Sequence, residues 1–91
     1  MDEEKKFRSG QYAYVKTEIH GGQRYNDLDF PTNMEGYRGK AYRVSRSDSY
    51  MNSRGETVPA CHLEGCGNWF FNNEMIEIID KETADRINRG E

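Results

Sequence analysis

Between residues 11 and 19 the chain alternates: Tyr12 and Tyr14 fall on one side, Ala13 and Val15 on the other. A period of two carried by aromatic and β-branched residues reads as a half-buried strand, because successive side chains of extended backbone point to opposite faces. The pattern returns over residues 41–45, Thr57–Leu63, 68–71 and 75–79, and most of these runs are bounded by turns such as Ser9-Gly10, Ser53-Arg54-Gly55 and Glu64-Gly65-Cys66-Gly67. Pro59 in the third run points to an edge strand or a bulge, since proline brings no N–H to a ladder. Residues 72–74 read as one tight helical turn. Asp80 reads as the N-cap of a helix over Lys81–Asn88, which has only Ala84 and Ile87 to bury and must dock to persist.

Five short strands in 91 residues predict a single, mainly β domain, a small barrel or roll rather than a sandwich. An α+β domain with the last helix crossing the sheet is the alternative. The expected organisation is a charged, frayed lead-in over residues 1–6, the barrel over 7–79, and a short helical or frayed tail over 80–91. So small a barrel needs large inward side chains; the candidates are Phe7, Val15, Tyr42, Val44, Leu63, Trp69, Phe71, Met75 and Ile78. Two connections are long: residues 20–33 and the polar stretch 47–56. The first carries Tyr25, Leu28 and Phe30, which either fold back over the barrel as a plug or are presented to a partner.

Composition narrows the function classes. Hydrophobic residues are 34% and charged residues 32% of the chain, a balance that approaches disordered sequences, but one Trp, six Tyr and four Phe oppose that reading. The formal charge of −3 and pI near 5.4 argue against broad phosphate-backbone binding. The cations Arg38, Lys40, Arg43, Arg46 and Arg54 read first as the solvent face of two strands. No apolar run is long enough to span a bilayer, and no apolar stretch follows the charged opening residues, so no membrane association is expected. With two cysteines and no export signal, the chain is expected in the cytoplasm with reduced thiols. A chain this small buries only about 60–65% of its unfolded surface, and a homodimer is a secondary expectation on that ground.

The order of these landmarks resembles a known arrangement. Phe7-Arg8-Ser9-Gly10-Gln11-Tyr12-Ala13-Tyr14-Val15 resembles the opening of SH3-like barrels, with Gln11 where an acid usually follows the glycine. Met34-Glu35-Gly36-Tyr37-Arg38-Gly39-Lys40 resembles the step from a long first loop into the second strand. Trp69-Phe70-Phe71 followed by Asn72-Asn73-Glu74-Met75-Ile76 resembles the ending in which an aromatic strand meets a one-turn helix and a last strand. Together they span residues 7–79 and resemble small bacteriophage proteins with the five-stranded SH3-like barrel of mind-bomb-type domains. The resemblance implies a fold, a phage or prophage origin with the host cell as the place of action, and a binding role. It implies no catalytic residue.

Candidates for chemistry are few. Zinc sites use four ligands in close pairs such as C-x2-C, whereas Cys61 and Cys66 are separated by four residues and His20 is remote. Cys61 and His62 are neighbours on a strand and face opposite sides, which also disfavours a thiol–imidazole nucleophile. Both cysteines read as small buried hydrophobes. Asp27 with Asp29 and Glu74 with Glu77 read as solvated loop and strand-end acids, and no glycine run precedes the Lys-Ser/Thr of a phosphate loop. No enzyme activity, catalytic residue, metal or cofactor is therefore expected.

The expectation is a binding module that docks a host protein through His20, Arg24, Tyr25, Asp27 and Phe30 of the first loop with Tyr50 and Arg54 of the second, a mixture of aromatic area and charge. One alternative is a homodimer that binds a nucleotide, with Arg38, Arg43, Arg46 and Arg54 on the phosphates. Another is a single-stranded nucleic-acid binder that stacks bases on Tyr25 and Tyr50.

Overall fold

The computed structural model of the chain describes residues 7–90; the lead-in expected over residues 1–6 lies outside them. In chain order the elements are β1 (Tyr12–Val15), β2 (Gln23–Tyr25), β3 (Leu28–Phe30), a 3-10 helix (Thr32–Tyr37), β4 (Ala41–Met51), β5 (Thr57–Leu63), β6 (Ile76–Ile79) and α1 (Lys81–Asn88). Four strands form one antiparallel sheet in the order β5-β4-β1-β6, and β2 pairs with β3 as a separate hairpin. The fold is mainly β, a sheet curled into a half-barrel with one short C-terminal helix. Among the described residues, no helix is long and apolar enough to cross a membrane.

The strands number six, not five, and differ from expectation in three places. Residues 20–33 hold the β2–β3 hairpin, and the 3-10 helix follows. The first half of the polar stretch 47–56 is strand, because pairing with β5 from Arg46↔His62 to Met51↔Thr57 satisfies its backbone whatever its side chains. The expected strand over 68–71 shrinks to one bridge, in which Cys61 and Phe71 exchange both N–H···O bonds at 2.9 Å. Trp69 therefore has no ladder to aim it inward and is 38% exposed, so it is not a core residue.

The curl of β4 has a local cause. Val44 pairs with Leu63 and Arg46 with His62, so Ser45 is an extra residue, a bulge that bends the strand. Its hydroxyl donates to the His62 carbonyl at 3.0 Å. Pro59 lies on an edge strand, as expected. Cys61 turns its N–H and C=O outward to Phe71; two residues back, Pro59 is in the same phase and offers that edge no N–H.

Phe7, Val15, Val44, Leu63, Phe71 and Met75 are buried in the core, with Tyr42 and Ile78 packed against it. The first long loop contributes Phe30 to the same cluster and packs Tyr25 and Leu28 against it, with Ile19 and Met34 buried at its two ends, so it plugs the barrel. Close approach fixes the loop's path. The Gly21 N–H donates to Glu35 Oε2 at 2.7 Å, and a Cβ on Gly21 would stand 2.6 Å from the Thr32 Cα. The Arg38 guanidinium donates to the carbonyls of Ile19 and Glu35.

Helix α1 is capped as expected, Asp80 accepting from the Thr83 N–H at 2.8 Å. It packs on β1 and β4 through Ala84, with Asn88 one turn on. The Asn88 amide accepts from the Ala41 N–H and donates to the Ala41 carbonyl, both at 2.9 Å. β5 ends opposite Val44, so Ala41 has no strand neighbour on that side, and a side-chain amide takes the strand's place.

Candidate functional site

The two long connections meet at one pole of the half-barrel. Asn26 and Asp27, at φ 51° and 70°, form a two-residue hairpin loop between β2 and β3. Asn and Asp tolerate this left-handed backbone, which suits the twist of flanking strands. The tip docks on the end of the β4–β5 ribbon: Tyr50 Oη donates to the Asn26 carbonyl at 2.6 Å, Asn52 Nδ2 to Asn26 Oδ1 at 3.2 Å, and the Ser53 N–H to Asp27 Oδ2 at 2.6 Å.

Two asparagines hold this junction. Asn72 is fully buried; its Nδ2 donates to the Tyr25 carbonyl at 2.8 Å and to Tyr50 Oη at 3.0 Å, and its Oδ1 accepts from the Glu74 N–H at 3.0 Å. One side chain thus joins the hairpin, the ribbon and the turn before β6. Asn52, 5% exposed, shapes the β4–β5 turn by accepting from the N–H groups of Arg54 and Glu56, each at 3.0 Å.

Between hairpin and turn lies an open cleft of about 370 Å³, lined by Arg24, Asn26, Asp27, Ser53, Arg54 and Glu74. Arg24 and Arg54 each hold one acid, Asp29 at 2.8 Å and Glu56 at 3.1 Å, with both arginine side chains largely exposed. The Ser53 N–H lowers the Asp27 pKa, and the Asn52 amide, with Arg54 beside it, lowers that of Glu56. Two guanidiniums and two carboxylates on a pinned backbone suit recognition of a polar surface bearing both signs of charge.

The other predicted site residues are distributed as follows. His20 is exposed, and its backbone N–H donates to Tyr25 Oη at 2.8 Å. Phe30 is fully buried and belongs to the core, which removes it from any contact surface. Tyr25 and Tyr50 are half-buried, each edge-on to a phenylalanine (Phe30 and Phe70) with its hydroxyl engaged within the fold. Burial raises the Tyr50 pKa. Arg38, Arg43 and Arg46 do not line the cleft. Arg38 serves carbonyls, Arg43 pairs with Glu64 at 2.9 Å, and Arg46 lies 4.0 Å from Asp48. Sequence reasoning missed Asn26, Asn52, Ser53, Asn72 and Glu74. Only the hairpin tip left a trace, the Asn-Asp pair between two short β-prone runs.

The cysteine–histidine stretch is structural. Cys61 and Cys66 are free and buried, and burial pushes both thiols up to about 12. His62 is 4% exposed on the other face of β5 from Cys61, with Nε2 3.0 Å from Asp48 Oδ2 and its ring 4.6 Å from that of Phe70. The bond to His62 lowers the Asp48 pKa. Nδ1 is buried without a partner, and among the described residues no cluster of three or more His, Cys, Asp or Glu stands ready for a metal ion. Comparisons with protein-family models, curated proteins and solved structures returned no match.

Proposed function

We propose that the chain is a non-catalytic binding module that docks a protein partner at the pole where the first loop meets the β4–β5 turn. The observation that carries this reading is the convergence of the two loops on a shared cleft with Arg24 and Arg54 at its walls. The pinned backbone means that little ordering entropy opposes docking. An SH3-like barrel of phage or prophage origin, acting on a host protein in the host cytoplasm, fits with this. In its support, the bridge at Phe71, the turn over residues 72–75 and β6 follow one another in the order that resemblance implies.

The test is capture from host lysate by the immobilised chain and by an Arg24→Ala/Arg54→Ala variant. Both side chains are about 70% exposed, at 69% and 70%, so the variant keeps its fold. A partner held by the wild type is expected to be lost or weakened at least tenfold with the variant. Equal capture by both would remove the pole as the docking surface. A Phe30 variant cannot serve, because it would open the core. A nucleotide panel in a thermal-shift assay bears on the alternative ligand, which would add roughly 2.7 kcal/mol at a hundredfold its dissociation constant.

A further inference from the structure

In an antiparallel ladder each residue turns its N–H and C=O to one side, and the side alternates along the strand. On β1, Gln11 and Val15 face β4: the Val44 N–H donates to the Gln11 carbonyl at 2.7 Å, and the Val15 N–H to the Lys40 carbonyl at 3.0 Å. Lys16 turns the other way and donates to the Met75 carbonyl at 3.0 Å. Glu77 and Ile79 therefore face β1, while Ile76 and Ile78 face outward. The Ile76 N–H is taken by the Asn72 carbonyl at 3.2 Å. The outward edge presents the Ile76 carbonyl and both backbone groups of Ile78. The Asp80 N–H follows in phase, on backbone that is still extended (φ −84°, ψ 169°).

This sequence of groups reads the same from either end. With two copies of β6 antiparallel about a twofold axis at Ile78, each Ile78 exchanges both bonds with its counterpart, and each Ile76 carbonyl meets the other copy's Asp80 N–H. In that register Glu77 lies opposite the second copy's Ile79 and diagonal to the second copy's Glu77, an exposed pair of like charges, while Lys81 begins α1 and pairs with Asp85. A groove of about 500 Å³ runs beside the edge, with Phe7, Ile76 and Ile78 as its apolar lining and Lys16, Glu18 and Glu77 among its polar groups. The opposite sheet edge is closed by the Phe71 bridge and blunted by Pro59, whereas β6 carries neither device, and among the described residues nothing pairs with its outer side.

We propose that β6 is a self-association edge, at which a second copy of this chain continues the sheet as an isologous dimer. The surface is distinct from the Arg24/Arg54 cleft and stands whether or not that cleft binds a partner. The expected mass in solution rises with concentration from the 10.6 kDa of one chain toward twice that value. Ile78→Pro removes the outward N–H while leaving the β1 ladder intact, and is expected to hold the chain at the single-copy mass at every concentration. Amide exchange of the unaltered chain gives a readout free of folding effects: the Ile78 and Asp80 amides should become at least tenfold better protected as concentration rises, with Tyr12 and Tyr14 unchanged. A single-copy mass throughout, or Ile78 and Asp80 protection that ignores concentration, would overturn the proposal. So would protection that arises only when an extended peptide is added, which would assign the edge to a different occupant.

Discussion

Asn72 shows how much one side chain can decide. Its amide is fully buried and fully used, with two donations to Tyr25 and Tyr50 and one acceptance from Glu74. Asn72→Ala would leave the Glu74 N–H unsatisfied and take a donor from the Tyr25 carbonyl, and is expected to cost about 1–3 kcal/mol, read as a lower urea midpoint. Tyr50→Phe loses a donor to Asn26 and an acceptor for Asn72 and should cost about 1 kcal/mol; the two losses should not add, since the groups share one network. The thiols make a second residue-scale prediction. Cys61 and Cys66 are buried and raised to about 12, so Ellman's reagent at pH 8 should react with neither until the chain is denatured. A folded pKa above the ordinary 9.0 gives stability that is whole below pH 9 and is lost as pH climbs toward about 12. An alkaline fall in melting temperature that shrinks in a Cys61→Ala/Cys66→Ala chain, leaving the part due to the raised Tyr42 and Tyr50 hydroxyls, would bear this out.

At the scale of elements, the helix and the first loop illustrate different kinds of legibility. The cap at Asp80 and the bounds Lys81–Asn88 were readable because capping is local chemistry. How the helix docks was not readable, because the Asn88 fork reaches Ala41, 47 residues away. Asn88→Ala should cost about 1–3 kcal/mol and free the helix first, seen as faster exchange of the Ala84 amide than of the β4 amides. Asn88→Asp keeps the acceptor for the Ala41 N–H but sets a charge against the Ala41 carbonyl, so it should not rescue. In the first loop, Gly21→Ala would push a methyl group into the Thr32 backbone and the Glu35 carboxylate, an overpacking expected to cost about 1–3 kcal/mol. That requirement comes from the folded path of the loop; His20-Gly21-Gly22 reads in sequence only as a turn.

Over the whole molecule, carboxylates at the pole and beside His62 have pKa values that the fold lowers. Hydrogen bonds hold Asp27 and Asp48 below the ordinary 3.8 and Glu56 below 4.5. A lowered folded pKa contributes stability that is present above the unfolded value and is lost as pH falls through the folded one. The Ser53 amide, held by Asp27, should lose its downfield chemical shift in acid below the ordinary carboxylate range, before the β1–β4 ladder opens. An unchanged Ser53 shift down to the point of global unfolding would show that the tip contact does not hold in solution. Exposed pairs such as Arg43–Glu64 are worth about 0–1 kcal/mol each, so salt should move the melting temperature little.

The sequence by itself determined what depends on neighbouring residues. Short strand-like runs marked β1, β5, β6 and the start of β4, Pro59 marked an edge, Asp80 marked a helix start, and the alternation of Cys61 with His62 set them on opposite faces. It also named Arg24, Asp27 and Arg54 as residues of one surface. Only the tertiary structure decided that Phe30 serves the core, that residues 46–51 continue a strand, that Trp69 lies outside the core, and that Asn52 and Asn72 bind the two loops together. The physical reason is range. The long-range contacts that build the pole join groups 22 to 47 residues apart through backbone carbonyls and polar side chains, and such pairs leave no period in the chain that encodes them.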